Sequence, residues 1–195
     1  MSARRARAGE GRMPADSLVA RLDDAVASGD AATIAARVKE VLERAVRDGE
    51  IALPDAFRRT RPDAYARRLL HRAPDGRYTV VVMTWAPGQR TSLHDHAGIW
   101  CVECVVEGRM EVAQYELVGR EGERFRFEQR SRVSAGVGAA GCLIPPFEYH
   151  TLGNALADRP SITLHVYGGE MDHCHVFEPD GDAYLRREKR LGYDD

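Results

Sequence analysis

The hydrophobic pattern of this 195-residue chain changes its period near residue 77. Before that point, apolar residues recur at the spacing of an amphipathic helix, whereas after it they alternate with polar residues as in half-buried strands. The order of helices followed by short strands separated by Gly, Pro and Asp predicts a mainly β sandwich or barrel of the jelly-roll group. The candidate strands cover residues 77–86, 99–108, 109–118, 123–129, 141–145, 161–169 and 174–179.

The pattern divides the chain into three parts. We expect a disordered tail rich in Arg, Gly and Ala over residues 1–14 and a helical segment that packs on the barrel over residues 15–72. The barrel with a C-terminal extension is expected over residues 73–195. In the helical segment, Asp30 can cap one helix, and residues 63–70, which follow a proline, predict a further short helix.

The charge balance excludes several classes of partner. Lys and Arg number 28 and Asp and Glu number 30, so the formal net charge of −2 favours neither nucleic acid nor an anionic membrane. No apolar run approaches the roughly 20 residues of a membrane-spanning helix, and the Arg-rich N-terminus lacks the apolar core of a secretory signal. We therefore expect a cytoplasmic protein, and the oligomeric state stays open.

Four cysteines are too few for a disulfide scaffold in a chain of this length. Cys101 and Cys104 form a C-x-x-C pair, a spacing that also occurs in zinc and redox sites. The pair lies in a predicted strand, where residues three apart point to opposite faces. We therefore expect two separate strand cysteines.

The histidines carry the clearest functional signal. His94 and His96 are separated by one residue, so both imidazoles point to the same side of an extended strand. Neutral imidazoles side by side can chelate a divalent transition metal, although a single pair of this kind is more often solvated or part of a core. Here other residues accompany the pair at characteristic spacing, namely Gly88, Gly108, Pro145, His150 and Asn154.

This spacing resembles the two barrel motifs of the cupin superfamily, and the resemblance covers residues 77–178. It implies a double-stranded β-helix in which His94, His96 and His150 bind a metal. Phe147 stands where the second motif has a glycine, a difference that we expect to alter only the local turn.

Cys101 stands where the first cupin motif has its metal-binding glutamate. Glu103 is the nearest carboxylate and shares a strand face with Cys101. It lies two residues out of step with the motif, however, and we expect it not to be a ligand. Three neutral histidines leave iron(II) its full charge, which favours direct binding of an anionic substrate such as a thiolate.

With a cysteine at this motif position, the sequence resembles the thiol dioxygenases, and the cysteine dioxygenase family in particular. The family's row of hydroxyl, imidazole and phenol is matched by Thr163, His165 and Tyr167, which alternation places on one strand face. Such a row can form a hydrogen-bond relay, although a satisfied barrel interior has the same pattern. The resemblance implies that these three residues and Cys101 are catalytic, with a thioether between Cys101 and Tyr167 in some members.

The same family places a Tyr-x-Arg segment upstream, whose guanidinium holds the substrate carboxylate. Tyr65-Ala66-Arg67 matches this segment, whereas an ungapped count back from His94 selects Arg68. On the expected helix the two arginines differ by about 100° of rotation, so only one of them is expected to reach the site. We favour Arg67 as the substrate-binding residue, and two solvated surface arginines remain the alternative.

The resemblance implies an iron(II)-dependent thiol dioxygenase that converts a small thiol and O2 to a sulfinic acid, with no further cofactor. L-cysteine is the first candidate because dioxygenases of 3-mercaptopropionate, the alternative substrate, typically lack the residues matched by Cys101 and Arg67. A non-catalytic metal-binding cupin that binds a small ligand is the alternative of another class, and the row ending at Tyr167 argues against it. Other metal-dependent cupins, such as isomerases, usually keep the glutamate that Cys101 replaces.

Overall fold

The structure is a computed structural model that describes residues 14–195. The tail predicted over residues 1–14 lies outside the described residues except for Pro14, which begins the first helix. The helical elements are α1 (Pro14–Ala25), α2 (Ala31–Arg47) and a single 3-10 turn (Asp55–Arg58). The strands are β1 (Ala66–Arg72), β2 (Thr79–Trp85), β3 (Leu93–His94), β4 (Cys101–Glu107), β5 (Arg109–Glu121), β6 (Arg124–Gly136), β7 (Ala140–Leu143), β8 (His150–Asn154), β9 (Ser161–Tyr167), β10 (His173–Asp180) and β11 (Ala183–Arg190).

In the part of the chain that the structure describes, the strands form two antiparallel sheets. One sheet has five strands in the order β1-β2-β9-β4-β7, and the other six strands close into a ring in the order β10-β11-β6-β5-β8-β3. The ring closes because β3 pairs with both β10 and β8. Val81 of β2, Met110 of β5 and Leu152 of β8 belong to one buried cluster, so the inner faces of the two sheets share a core.

The five-stranded sheet is buried on both faces. Helices α1 and α2 pack Leu22 and Leu42 against Val80 and Leu164 on its outer face. Strands β2, β4 and β9 therefore alternate between residues that contact the helices and residues that point into the barrel interior. This alternation selects the side chains that can form an internal site.

The short helix predicted over residues 63–70 is wrong. Residues Ala66–Arg72 form strand β1, which pairs antiparallel with β2. Ala, Arg and Leu favour a helix by intrinsic propensity, but here the neighbouring strand supplies backbone partners that override this preference. Successive residues Arg67 and Arg68 consequently point to opposite faces of the sheet.

The predicted fold class, a mainly β cupin barrel preceded by α-helices, is confirmed. The predicted cap is also confirmed, because the Asp30 side chain accepts a hydrogen bond from the backbone N–H of Thr33 at 2.8 Å. Besides β1, strands β3, β8 and β11 lie outside the predicted strand candidates. Within residues 14–195, no helix combines the length and the apolar character that crossing a membrane requires.

Candidate metal centre and active site

Three histidines meet inside the barrel. His94 ends β3 and His150 begins β8, and because the strands pair at these residues, the two ring centroids lie 4.3 Å apart. The ring of His96 lies 5.4 Å from that of His94 and 5.0 Å from that of His150. The single strand expected to carry both His94 and His96 ends at His94, so His96 reaches the cluster from the following loop.

Hydrogen bonds fix how these rings face one another. Nδ1 of His94 lies 3.0 Å from the carbonyl oxygen of Ser92, and Nδ1 of His150 lies 2.9 Å from that of Glu148. A carbonyl oxygen can only accept, so each Nδ1 carries a hydrogen and each Nε2 faces the cluster. His96 is 1% exposed, and neither of its ring nitrogens has a hydrogen-bond partner. One nitrogen of each ring lies within 4.8 Å of the others, an arrangement that fits a divalent metal ion.

The electrostatics of the cluster keep two of its rings neutral. Burial lowers the pKa of His94 to about 3 and that of His96 well below its ordinary value, and charge on His150 acts in the same direction. Burial also disfavours the cation of His150, but the carboxylate of Glu103 raises the pKa of this ring. Glu103 therefore favours a hydrogen on His150 Nε2, the nitrogen at which a metal would bind in its place.

Strand β9 carries Thr163, His165 and Tyr167 into the interior, so the predicted shared face is confirmed. The indole N–H of Trp85 donates to Thr163 Oγ1 at 2.9 Å, and Thr163 Oγ1 lies 2.7 Å from His165 Nε2. The Glu103 carboxylate, 3.3 Å from His165 Nδ1, can only accept, so Nδ1 carries a hydrogen and Thr163 can donate its proton to Nε2. Nδ1 lies 3.5 Å from the Tyr167 hydroxyl. The Tyr167 ring in turn lies 5.7 Å from the ring of His96.

Cys101 lies directly opposite Tyr167 in the pairing of β4 with β9. Directly opposed side chains have Cβ atoms about 4.5–5.5 Å apart, so the sulfur neighbours the phenol. Burial raises the pKa of the Cys101 thiol and that of the Tyr167 phenol well above their ordinary values, so both groups keep their protons. Cys104 contacts the helices on the opposite face of β4, which confirms the prediction of two separate strand cysteines.

Glu103 also points into the interior, two residues along β4 from Cys101. It is 9% exposed, and its Oε1 lies 3.0 Å from His150 Nε2 and 3.3 Å from His165 Nδ1. Burial alone would raise the pKa of this carboxyl group, but His150 and His165 hold it well below its ordinary value. The structure therefore adds a charged carboxylate to the site, and the expectation that it is not a metal ligand stays a prediction.

Arg67 and Arg68 lie on opposite sides of β1. Arg67 lines the interior cavity, where its guanidinium donates to the carbonyl of Gly192 at 2.9 Å and to that of Met171 at 3.2 Å. Its Nε is buried without a partner. Arg68 does not line this cavity and donates instead to the carbonyl of Arg59 at 2.8 Å. Of the two predicted candidates, only Arg67 reaches the site.

A small cavity in the interior is lined by Arg67, Glu103, His165 and Tyr167, and its free volume of about 20 Å³ is roughly that of one water molecule. An outer pocket of about 410 Å³ adjoins it and leads to the surface. The two spaces share Tyr65, Thr91, His94 and Cys174.

Two acidic residues that support the cluster were not predicted. The Asp95 carboxylate lies 2.9 Å from Nδ1 of His175 and accepts a hydrogen bond from its backbone N–H at 2.9 Å. Glu148 accepts a hydrogen bond from the backbone N–H of His96 at 2.9 Å. In the sequence, both residues lie inside or next to the histidine motifs, and this was the available signal for a supporting role. Their hydrogen-bond partners lie far along the chain, however, 80 residues from Asp95 and 52 residues from Glu148.

A family model described as cysteine dioxygenase type I matches residues 15–180 of this chain. Among curated proteins, cysteine dioxygenase type 1 of Rattus norvegicus and that of Homo sapiens are 21% and 22% identical to it over 122 residues. These matches cover 58% of this chain and 56% of each relative. The chain thus spans about half the length of the curated relatives it matches.

Solved structures of low sequence identity are also similar to this chain. The protein TT1209 from Thermus thermophilus is 20% identical, with a TM-score of 0.47, and the match covers 61% of this chain and 96% of that chain. A Cupin 2 conserved barrel domain protein from Salinispora arenicola is 20% identical, with a TM-score of 0.42, and the match covers 60% of this chain and 85% of that chain.

Substitution of one clustered histidine tests the metal centre. We expect His94→Ala to weaken the binding of a divalent metal ion at least about 100-fold, since loss of even an outer partner of a metal ligand costs about 10–100-fold. His173→Ala is the matched control, because that side chain is 39% exposed and lies outside the cluster. Anaerobic titration calorimetry measures both affinities, and native affinity in His94→Ala would contradict the assignment.

Proposed function

The chain belongs to the cysteine dioxygenase type I family, and we propose that it is an iron(II)-dependent thiol dioxygenase acting on L-cysteine. The reaction adds both atoms of O2 to the thiol sulfur and yields a sulfinic acid. His94, His96 and His150 would hold the iron. When bound there, iron(II) supplies the positive charge that lowers the pKa of the substrate thiol and a common binding point for thiolate and dioxygen.

One observation carries the proposal: the partnerless ring of His96 lies 5.7 Å from the ring of Tyr167, and both are buried in the barrel interior. A protein that only binds a small ligand needs no row of hydrogen-bonded side chains to hold a proton next to its metal. Here Trp85, Thr163 and His165 form such a row behind the phenol. This arrangement favours an enzyme over a non-catalytic metal-binding cupin.

Tyr167 would act as a hydrogen-bond donor toward the reacting groups. Burial raises the pKa of its phenol well above the ordinary value, and the neighbouring Cys101 thiol acts in the same direction, so the proton stays on Oη. His165 Nδ1 lies 3.5 Å from that oxygen and 3.3 Å from Glu103 Oε1, so its hydrogen is shared between these two acceptors. The phenol proton is then free to point at substrate or dioxygen. A donor fixed in this way stabilises negative charge that develops on oxygen.

Cys101 would restrict the phenol by lying directly opposite it on β4. The family resemblance extends this role to a thioether between the sulfur and the ring, which forms with loss of the thiol hydrogen and a ring hydrogen and with O2 as oxidant. Intact mass spectrometry of the protein before and after turnover, with Cys101→Ala as the reference, detects that bond.

Arg67 would bind the substrate carboxylate. A guanidinium offers a planar fork of donors that matches a carboxylate in a way an ammonium does not. Two of its nitrogens are held by the carbonyls of Gly192 and Met171, which orients the fork, and the buried Nε has no partner. A carboxylate held here would place a short thiol near the histidine cluster.

The proposed activity is tested with iron(II)-loaded protein supplied with L-cysteine or with 3-mercaptopropionate. We expect O2 consumption and cysteine sulfinate, identified by mass spectrometry, with neither observed for His94→Ala. A preference for 3-mercaptopropionate would support thiol dioxygenation but contradict L-cysteine as the substrate. Absence of O2 uptake with both thiols would favour the binding module instead.

The two arginines provide a matched pair of variants. Arg67→Ala should raise the KM for L-cysteine about 10–100-fold, since hydrogen bonds to a charged group contribute about 1.5–3 kcal/mol. Cysteamine, which lacks the carboxylate, should be affected much less. Arg68→Ala should leave both KM values unchanged, and thermal unfolding of each variant checks that the barrel is intact. Equal KM values for L-cysteine in the two variants would contradict the role of Arg67.

A further inference from the structure

The residues that follow β11 fold back toward the interior cavity. This C-terminal segment, residues 191–194, lies beside strand β1 and contacts both the backbone and the guanidinium of Arg67. Leu191 lines the small interior cavity together with Arg67. The match to the family model ends at residue 180, so the family resemblance assigns the segment no role. Its contacts with Arg67 indicate one.

Asp194 bonds to both backbone polar groups of Arg67. Strand β1 lies at the edge of the five-stranded sheet, and the N–H and C=O groups of such an edge need partners outside the sheet. The N–H of Arg67 donates to Asp194 Oδ2 at 2.8 Å, and its C=O accepts from the backbone N–H of Asp194 at 2.6 Å. Asp194 therefore fixes the backbone from which the Arg67 side chain extends into the interior.

Gly192 and Tyr193 hold the other end of the same side chain. The carbonyl of Gly192 accepts a hydrogen bond from Nη1 of Arg67 at 2.9 Å. The ring centroid of Tyr193 lies 5.4 Å from Cζ of Arg67, within the range of a cation–π interaction. The Tyr193 hydroxyl donates to Glu170 at 2.7 Å, so the ring is itself fixed. The segment thus holds Arg67 at both ends of its side chain.

We propose that the C-terminal segment orders Arg67 before the substrate binds and thereby makes the site selective for thiols that carry a carboxylate, with Asp194 and Tyr193 as positioning residues. The inference rests on the proposed function, in which Arg67 binds that carboxylate. Arginine is among the side chains that lose most rotamer freedom when they are fixed. A guanidinium that is already ordered binds a carboxylate more tightly, because this loss no longer opposes binding. A thiol without a carboxylate gains nothing from it.

Asp194→Ala tests the proposal because it removes the acceptor of the Arg67 N–H. We expect the KM for L-cysteine to rise about 3–10-fold, the equivalent of one hydrogen bond, with kcat and the KM for cysteamine unchanged. Asp194→Asn keeps a side-chain oxygen that can accept this bond and should stay close to the wild type. It loses only the charge that pairs with Arg61 at a partly exposed position. Asp195→Ala removes the neighbouring exposed carboxylate and is the matched control.

Two kinetic results would overturn the proposal. An unchanged KM for L-cysteine in Asp194→Ala would reject the positioning role, and equal rises for L-cysteine and cysteamine would make the segment a general wall of the site. If the wild type oxidises neither thiol, the proposed function fails, and nitrogen-15 NMR still tests the positioning of Arg67. Its Nε–H signal, assigned by its loss in Arg67→Ala, should exchange with solvent faster in Asp194→Ala than in the wild type or Asp194→Asn. Equal exchange rates in all three proteins would reject the positioning role.

Discussion

Burial of strands β2, β4 and β9 on both faces is the constraint on which the rest of the structure depends. The two helices cover one face with apolar contacts, so alternation sends every second residue of these strands into the barrel interior. The resulting register sets Cys101 opposite Tyr167 and Glu103 opposite His165. A shift of the strand pairing by one residue would turn these polar groups against the helices. Burial of the apolar face under the helices therefore fixes which side chains form the site.

The interior accommodates these polar groups because nearly all of them are neutral or paired. Burial keeps the rings of His94 and His96 and the phenol of Tyr167 uncharged. The carboxylate of Glu103 pairs with the imidazole of His150. Among the described residues, both ring nitrogens of His96 are buried without partners, and so is Nε of Arg67. Native structures rarely leave such groups unsatisfied, so each points to a ligand, and a metal would satisfy His96.

Features that depend on spacing along the chain were predictable from the sequence, and features that depend on strand partners were not. The histidine motifs and the shared face from Thr163 to Tyr167 follow from local spacing and alternation. Residues 63–70 have helical propensity, and only pairing with β2 makes most of them a strand. Alternation put Glu103 on the face of Cys101, but its contact with His165 depends on which strand lies beside β4. The choice of Arg67 over Arg68 likewise required the pairing of β1.

If the three histidines bring thiolate and dioxygen together beside Tyr167, both atoms of one dioxygen molecule end on the same sulfur. Turnover of L-cysteine by the iron(II)-loaded protein under isotopically heavy dioxygen, in ordinary water, tests this most directly. The predicted product is a sulfinate in which mass spectrometry finds both oxygen atoms labelled. A sulfinate that carries an oxygen atom from water, or oxidation only as far as a disulfide, would contradict a dioxygenase at this site.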